Sequence, residues 1–181
     1  MGKRGMSTAT VHNFNSQLDF SNRTELDPIW ERIYRKTFPG FLSMTSLRED
    51  GPHQKLGLDR VLVLGNSKTI FIDEKMRRKI RNDIALEYIS VDTTNAPGWV
   101  CKPMTADYIA YGMRDGEDAT TGVCFLLPVI QLQAAWSKNG EFWKSKYGKF
   151  PAQNATYRTW ICPVPISVLY PAMGNCLRVS F

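Results

Sequence analysis

The chain has 181 residues, a formal net charge of +6, 43% hydrophobic and 12% aromatic residues. That length holds one well-filled core and hardly two, and the composition excludes an intrinsically disordered chain. The positive balance favours a polyanionic partner such as nucleic acid, although charge alone names none.

Residues 1–23 are polar and aperiodic and read as a flexible lead, leaving 24–181 as a single domain. The first helix is predicted over 24–37. Asp27 suits the N-cap, Pro28 the first helical position, and Ile29, Trp30, Ile33 and Tyr34 form the apolar stripe. Phe38-Pro39-Gly40 stops it, and 41–57 lead into the next element. Leu58 to Leu64 and Thr69 to Met76 read as two strands joined by Gly65-Asn66-Ser67-Lys68. A third strand is expected at Ile84 to Val91, followed by a loop at Asp92 to Gly98. Ala106 to Met113 reads as a strand, with a short helix as the alternative. Val123 to Leu127 reads as a buried strand, and Pro128 opens a helix to Trp136 or on to Lys146. Tyr157 to Cys162 gives a late strand and Ile166 to Met173 a closing helix. The order predicts an α/β fold, a mixed sheet flanked by helices.

Cys101, Cys124, Cys162 and Cys176 are widely spaced, with no CxxC pair. They read as reduced, mostly buried thiols rather than a zinc ribbon or disulfide framework. Two histidines, His12 and His53, are too few for a His-rich zinc hydrolase. No apolar run reaches membrane length, and the start lacks a signal-peptide core. The expected location is the cytoplasm, or a host's cytoplasm if the protein is viral.

The chemistry concentrates in the hairpin. Alternation puts Phe71, Asp73 and Lys75 on one face of their strand and Ile70, Ile72 and Glu74 on the other. A turn centred on Asn66 sets Asp59 opposite Asp73, Val61 opposite Phe71 and Val63 opposite Thr69, with opposed Cβ atoms roughly 4.5–5.5 Å apart. Two facing carboxylates repel, and a hard cation removes the conflict. Magnesium takes oxygen ligands at about 2.0–2.1 Å and is commonly held by one or two carboxylates plus water and phosphate. Lys75, one pleat along, would position or deprotonate the attacking water or stabilise charge on phosphorus. The bland alternative is a solvated strand end.

An acid on one strand followed by acid-x-Lys on the next, here Asp59 and Asp73-Glu74-Lys75, resembles the PD-(D/E)XK superfamily. The resemblance spans residues 24–113 and implies a restriction-endonuclease-like core: helix, hairpin, then a further helix and strand. The proline that commonly precedes the first acid is replaced by Leu58. The resemblance implies a Mg2+ site, with Mn2+ as substitute, and a role for Glu31 of the first helix as a further ligand, Glu25 being its rival. The wider sequence is also similar to small phage and prophage proteins. There, Gln54-Lys55-Leu56-Gly57-Leu58-Asp59 precedes the hairpin, and Gly98-Trp99 with Lys102 precedes Asp107-Tyr108-Ile109-Ala110-Tyr111.

Other residues fit around that site. Glu87 on the next strand could ligate the metal or accept a hydrogen bond from Lys75. Gln54 could line the cleft, and Arg77, Arg78, Lys79 and Arg81 are placed to bind phosphate, as is Lys102. Trp99, Lys102, Tyr108 and Tyr111 suggest a stacking wall, with core packing as the alternative. A later segment interleaves Trp136, Phe142, Trp143 and Tyr147 with lysines. It suits either a nucleic-acid groove or an amphipathic helix on the sheet. The leading expectation is a Mg2+-dependent endo- or exodeoxyribonuclease. The alternative is a catalytically silent nucleic-acid-binding or protein-interaction module, such as a phage accessory or anti-defence protein. Many members of the superfamily dimerise, so the resemblance leaves a homodimer open.

Overall fold

The structure, a computed structural model, describes residues 27–116, 119–174 and 176–181, without the side chains of Gln54 and Lys55. The lead expected over 1–23, with Glu25 and His12, lies outside the described residues. Helix α1 (Asp27–Thr37) carries Ile29, Trp30, Ile33 and Tyr34 on its buried face, as the spacing predicts. Strand β1 (Phe41–Ser46) and the short helix α2 (Gly51–Lys55) follow. The hairpin is β2 (Arg60–Leu64) and β3 (Thr69–Arg77). Next come β4 (Asp83–Val91), β5 (Ala96–Pro97), β6 (Tyr108–Met113) and β7 (Val123–Pro128). The chain closes with α3 (Val129–Tyr147), β8 (Phe150–Gln153), β9 (Arg158–Pro165), α4 (Ile166–Met173) and β10 (Leu177–Ser180).

The fold is α/β, with a central mixed sheet flanked by helices. Its six strands run β1-β2-β3-β6-β7-β10; β3 and β6 are parallel, and the other pairs are antiparallel. A second sheet, antiparallel, runs β5-β4-β9-β8. This second sheet departs from the single-sheet expectation. Strand β4 leaves the hairpin's sheet to pair with β9, and the crossover from β3 to β6 passes through β4 and β5 with no helix. The further helix that the superfamily resemblance implies at that point is therefore missing from the crossover.

The central sheet separates two apolar clusters. On one face, Ile29, Trp30, Ile33 and Tyr34 of α1 pack on Leu62, Ile72, Met76 and Leu126. Full burial of Ile29 or Ile33 is worth roughly 1.5–3 kcal/mol. On the other face, Ile109, Tyr111 and Phe125 meet Ile84 and Leu86 of β4, and Trp136, Trp143 and Leu169 of α3 and α4. Trp136 and Trp143 of α3 are buried against the sheet, while Phe142 is exposed and Tyr147 half-buried. Cys124 and Cys162 are buried, Cys176 is half-buried and Cys101 exposed, and all four are free. Among the described residues, no helix is long and apolar enough to cross a membrane.

Candidate carboxylate–lysine site

The hairpin has the register that alternation predicts: Val61 pairs with Phe71 and Val63 with Thr69. Its turn is closed by Leu64 N–H to the Lys68 carbonyl at 2.9 Å and Lys68 N–H to Asn66 Oδ1 at 3.1 Å. Continuing the ladder one step past Arg60 and Ile72 brings Asp59 opposite Asp73. The Glu74 N–H donates to Asp59 Oδ2 at 2.7 Å, and the Asp59 and Asp73 carboxyls share a hydrogen bond. Lys75 Nζ lies 2.9 Å from Asp73 Oδ2. The three side chains thus converge on the sheet face away from α1.

Burial pushes the Asp73 carboxyl up to about 7; Lys75 pulls it back, and the Asp59 charge adds to the rise. Burial works against the charged amine of Lys75. The carboxylates of Asp73, Glu87 and Asp59 outweigh it and hold Lys75 above its usual value. Asp73 is only 6% exposed. A sheet gains nothing in stability from such an acid pair.

Glu87 comes to this cluster from β4, but toward the amine rather than the acid pair. Its carboxylate is raised by burial and faces Lys75 and Lys102, with hydrogen bonds from Ser90 and the Trp99 N–H. Among the described residues, no three His, Cys, Asp or Glu side chains form a group able to hold a metal. Glu87 thus takes the second of the two places expected for it, beside Lys75, and Glu31 is not brought to the acid pair. Glu31 lies on α1, across the sheet from Asp73, where it accepts a hydrogen bond from Arg35 Nη2 at 2.6 Å. Its apolar neighbours commit α1 to the Ile72 face, and Asp73 points the other way.

Glu74 occupies the α1 face in a network that sequence reasoning missed. Its carboxylate accepts Tyr34 Oη at 2.6 Å and Arg60 Nε at 3.0 Å, and it also pairs with Arg48. Arg60 reaches Asp27 as well, at 2.6 Å. A signal for part of this was present: alternation aims Arg60 and Glu74 at the same buried face. Arg48 comes from the loop after β1, which no local pattern ties to Glu74.

The basic run after β3 divides. Arg77 pairs with Asp83 at 2.8 Å, Arg78 is half-buried, and Lys79 and Arg81 are exposed. Lys102 sits near Glu87. The side chain of Gln54 lies outside what the structure describes. Of the suggested stacking wall, Trp99 and Tyr111 are 5% and 4% exposed, with ring centroids 6.5 Å apart. Tyr108 lies on the other face against Phe38. These rings are packed rather than offered to bases. Surface concavities of about 480 and 500 Å³ lie elsewhere, one beside Asp115 and Arg178, the other beside Asp107 and Gln133. No protein-family model matches the chain, and none of the curated proteins or solved structures matches it.

Proposed function

We propose that this protein is a divalent-cation-dependent nuclease with a restriction-endonuclease-like core, hydrolysing phosphodiester bonds of DNA. The observation that carries the reading is the buried Asp73 carboxyl beside half-buried Asp59, with Lys75 at 2.9 Å from Asp73. This arrangement costs stability in the absence of a cation. The donor set fits magnesium, or manganese in its place. Two carboxylates supply hard oxygens side by side, and their mutual repulsion is what a cation would relieve. Bound by Asp59 and Asp73, the ion would acidify a water and neutralise charge on the phosphodiester.

The chain's own groups do the rest. Lys75 carries a fixed positive charge beside the acid pair, where it can orient the attacking water or offset charge developing on phosphate oxygens. The Glu74 N–H holds the Asp59 carboxylate in place, and the Arg60–Glu74 network anchors that stretch of β3 from behind. Exposed Lys79 and Arg81 can contact the nucleic-acid backbone without reading sequence.

The decisive experiment incubates plasmid, linear and branched DNA, and RNA, with wild type and Asp73→Ala in magnesium or manganese. Cleavage by wild type alone is expected; equal cleavage by both proteins refutes the proposal. The low exposure of Asp73 and the missing third ligand favour one rival, a silent binding module. DNA binding by wild type with no cleavage in magnesium or manganese would establish that rival.

A further inference from the structure

Lys75 meets a segment that is fastened to β4 rather than to its own strand. Gly98 N–H donates to the Tyr88 carbonyl at 3.0 Å and Val100 N–H to the Glu87 carbonyl at 3.2 Å. The Trp99 N–H donates to the Glu87 carboxylate. A Cβ at position 98 would lie 2.8 Å from Glu87 Cγ and would collide with the Glu87 carbonyl, so only glycine lets the segment lie this close. The β4–β9 register also shifts between Glu87 and Ile89, and such a bulge re-aims the side chains beside it.

The strap 98–100 carries its indole onto the amine. Lys75 Nζ stands 5.6 Å from the centroid of the Trp99 ring, within the roughly 6 Å reach of a cation–π contact. Tyr111, in register with Lys75 on the neighbouring strand, stands beside the indole, and its hydroxyl accepts the Ala85 N–H at 3.3 Å. Four groups therefore surround the ammonium: Asp73 on its own strand, Asp59 on the facing segment, Glu87 on β4 and the ring of Trp99. With carboxylates on two sides, a flexible lysine could swing from one to the other. The ring limits that swing.

We propose that Trp99 is a positioning residue: its indole face, carried on the Gly98–Val100 strap, holds the Lys75 ammonium against Asp73. The catalytic consequence rests on the nuclease reading; the placement of the amine does not. If Trp99 were only apolar filling, any side chain of similar bulk would serve. The proposal requires a ring whose face attracts a cation.

The test compares Trp99→Phe with Trp99→Met, which fills similar space without a ring. Acetylation of Lys75 by an N-hydroxysuccinimide ester is timed by peptide mass spectrometry in buffer free of metal and DNA. Trp99→Met should label roughly tenfold faster than wild type and Trp99→Phe within about threefold. In cleavage assays, kcat should fall with KM unchanged in Trp99→Met, and Trp99→Phe should restore it. A folded Trp99→Met protein that labels at the wild-type rate overturns the proposal. Should Trp99→Met fail to fold, a fluorinated tryptophan at position 99 keeps the shape and weakens the ring's attraction for cations. It must also speed labelling, and an unchanged rate overturns the proposal equally. Wild-type protein that cleaves nothing removes the nuclease reading and leaves the labelling result standing.

Discussion

Replacing Asp73 with asparagine should stabilise the cation-free protein at pH 8. Asp73 is buried beside Asp59, and its carboxyl rises from an ordinary 3.8 to about 7. For an acid raised in this way, the folded state binds the extra proton. The penalty is absent below about pH 4, grows between pH 4 and 7, and is complete above 7. At about 1.36 kcal/mol per pH unit, the full cost is about 4 kcal/mol. Asparagine removes the charge but deprives Lys75 of its 2.9 Å partner, so a net gain of roughly 2 kcal/mol is expected. For a chain of this size that corresponds to about 4–8 °C in melting temperature. Calorimetry of both proteins in chelator at pH 4 and pH 8 would read it: no difference at pH 4, and a more stable variant at pH 8. Magnesium should then raise the wild-type melting temperature and leave the variant's unchanged. A variant less stable than wild type at pH 8 would refute the reasoning, because it would make Asp73–Lys75 a structural ion pair.

Glu74→Ala should destabilise by roughly 3 kcal/mol, since it strips the carboxylate from the buried Arg60 and Arg48. A denaturant midpoint consistent with a loss under about 1 kcal/mol would contradict that role. Glu31→Gln should leave both cleavage and the cation-induced rise in melting temperature unchanged, its exposed pair with Arg35 being worth about 0.5 kcal/mol or less. A tenfold loss of kcat would return α1 to the site. The double change Lys79→Ala, Arg81→Ala should weaken DNA binding evenly across sequences. It should also flatten the logarithmic salt slope by about 1–2, read by fluorescence anisotropy over a salt series. An unchanged slope would leave this turn a solubilising one.

The hairpin was legible because its information is local. Period-two alternation and a four-residue connection fix which residues face each other, so Asp59, Asp73 and Lys75 could be brought together from spacing alone. The stripe of α1, the strand at β6 and the closing helix α4 were readable for the same reason. The edge strands β1, β8 and β10 were not, because their half-exposed residues carry little alternation.

What the sequence determined by itself, then, was the pairing of two acids with an amine on one face of one hairpin. Which face of the sheet α1 would cover was a tertiary choice, and it removed Glu31 from the site. The departure of β4 into a second sheet was another, and it turned Glu87 toward Lys75 and brought the ring of Trp99 over the amine. Such contacts join residues far apart in the chain, and packing of whole layers decides them. No periodicity in the intervening segment encodes that result.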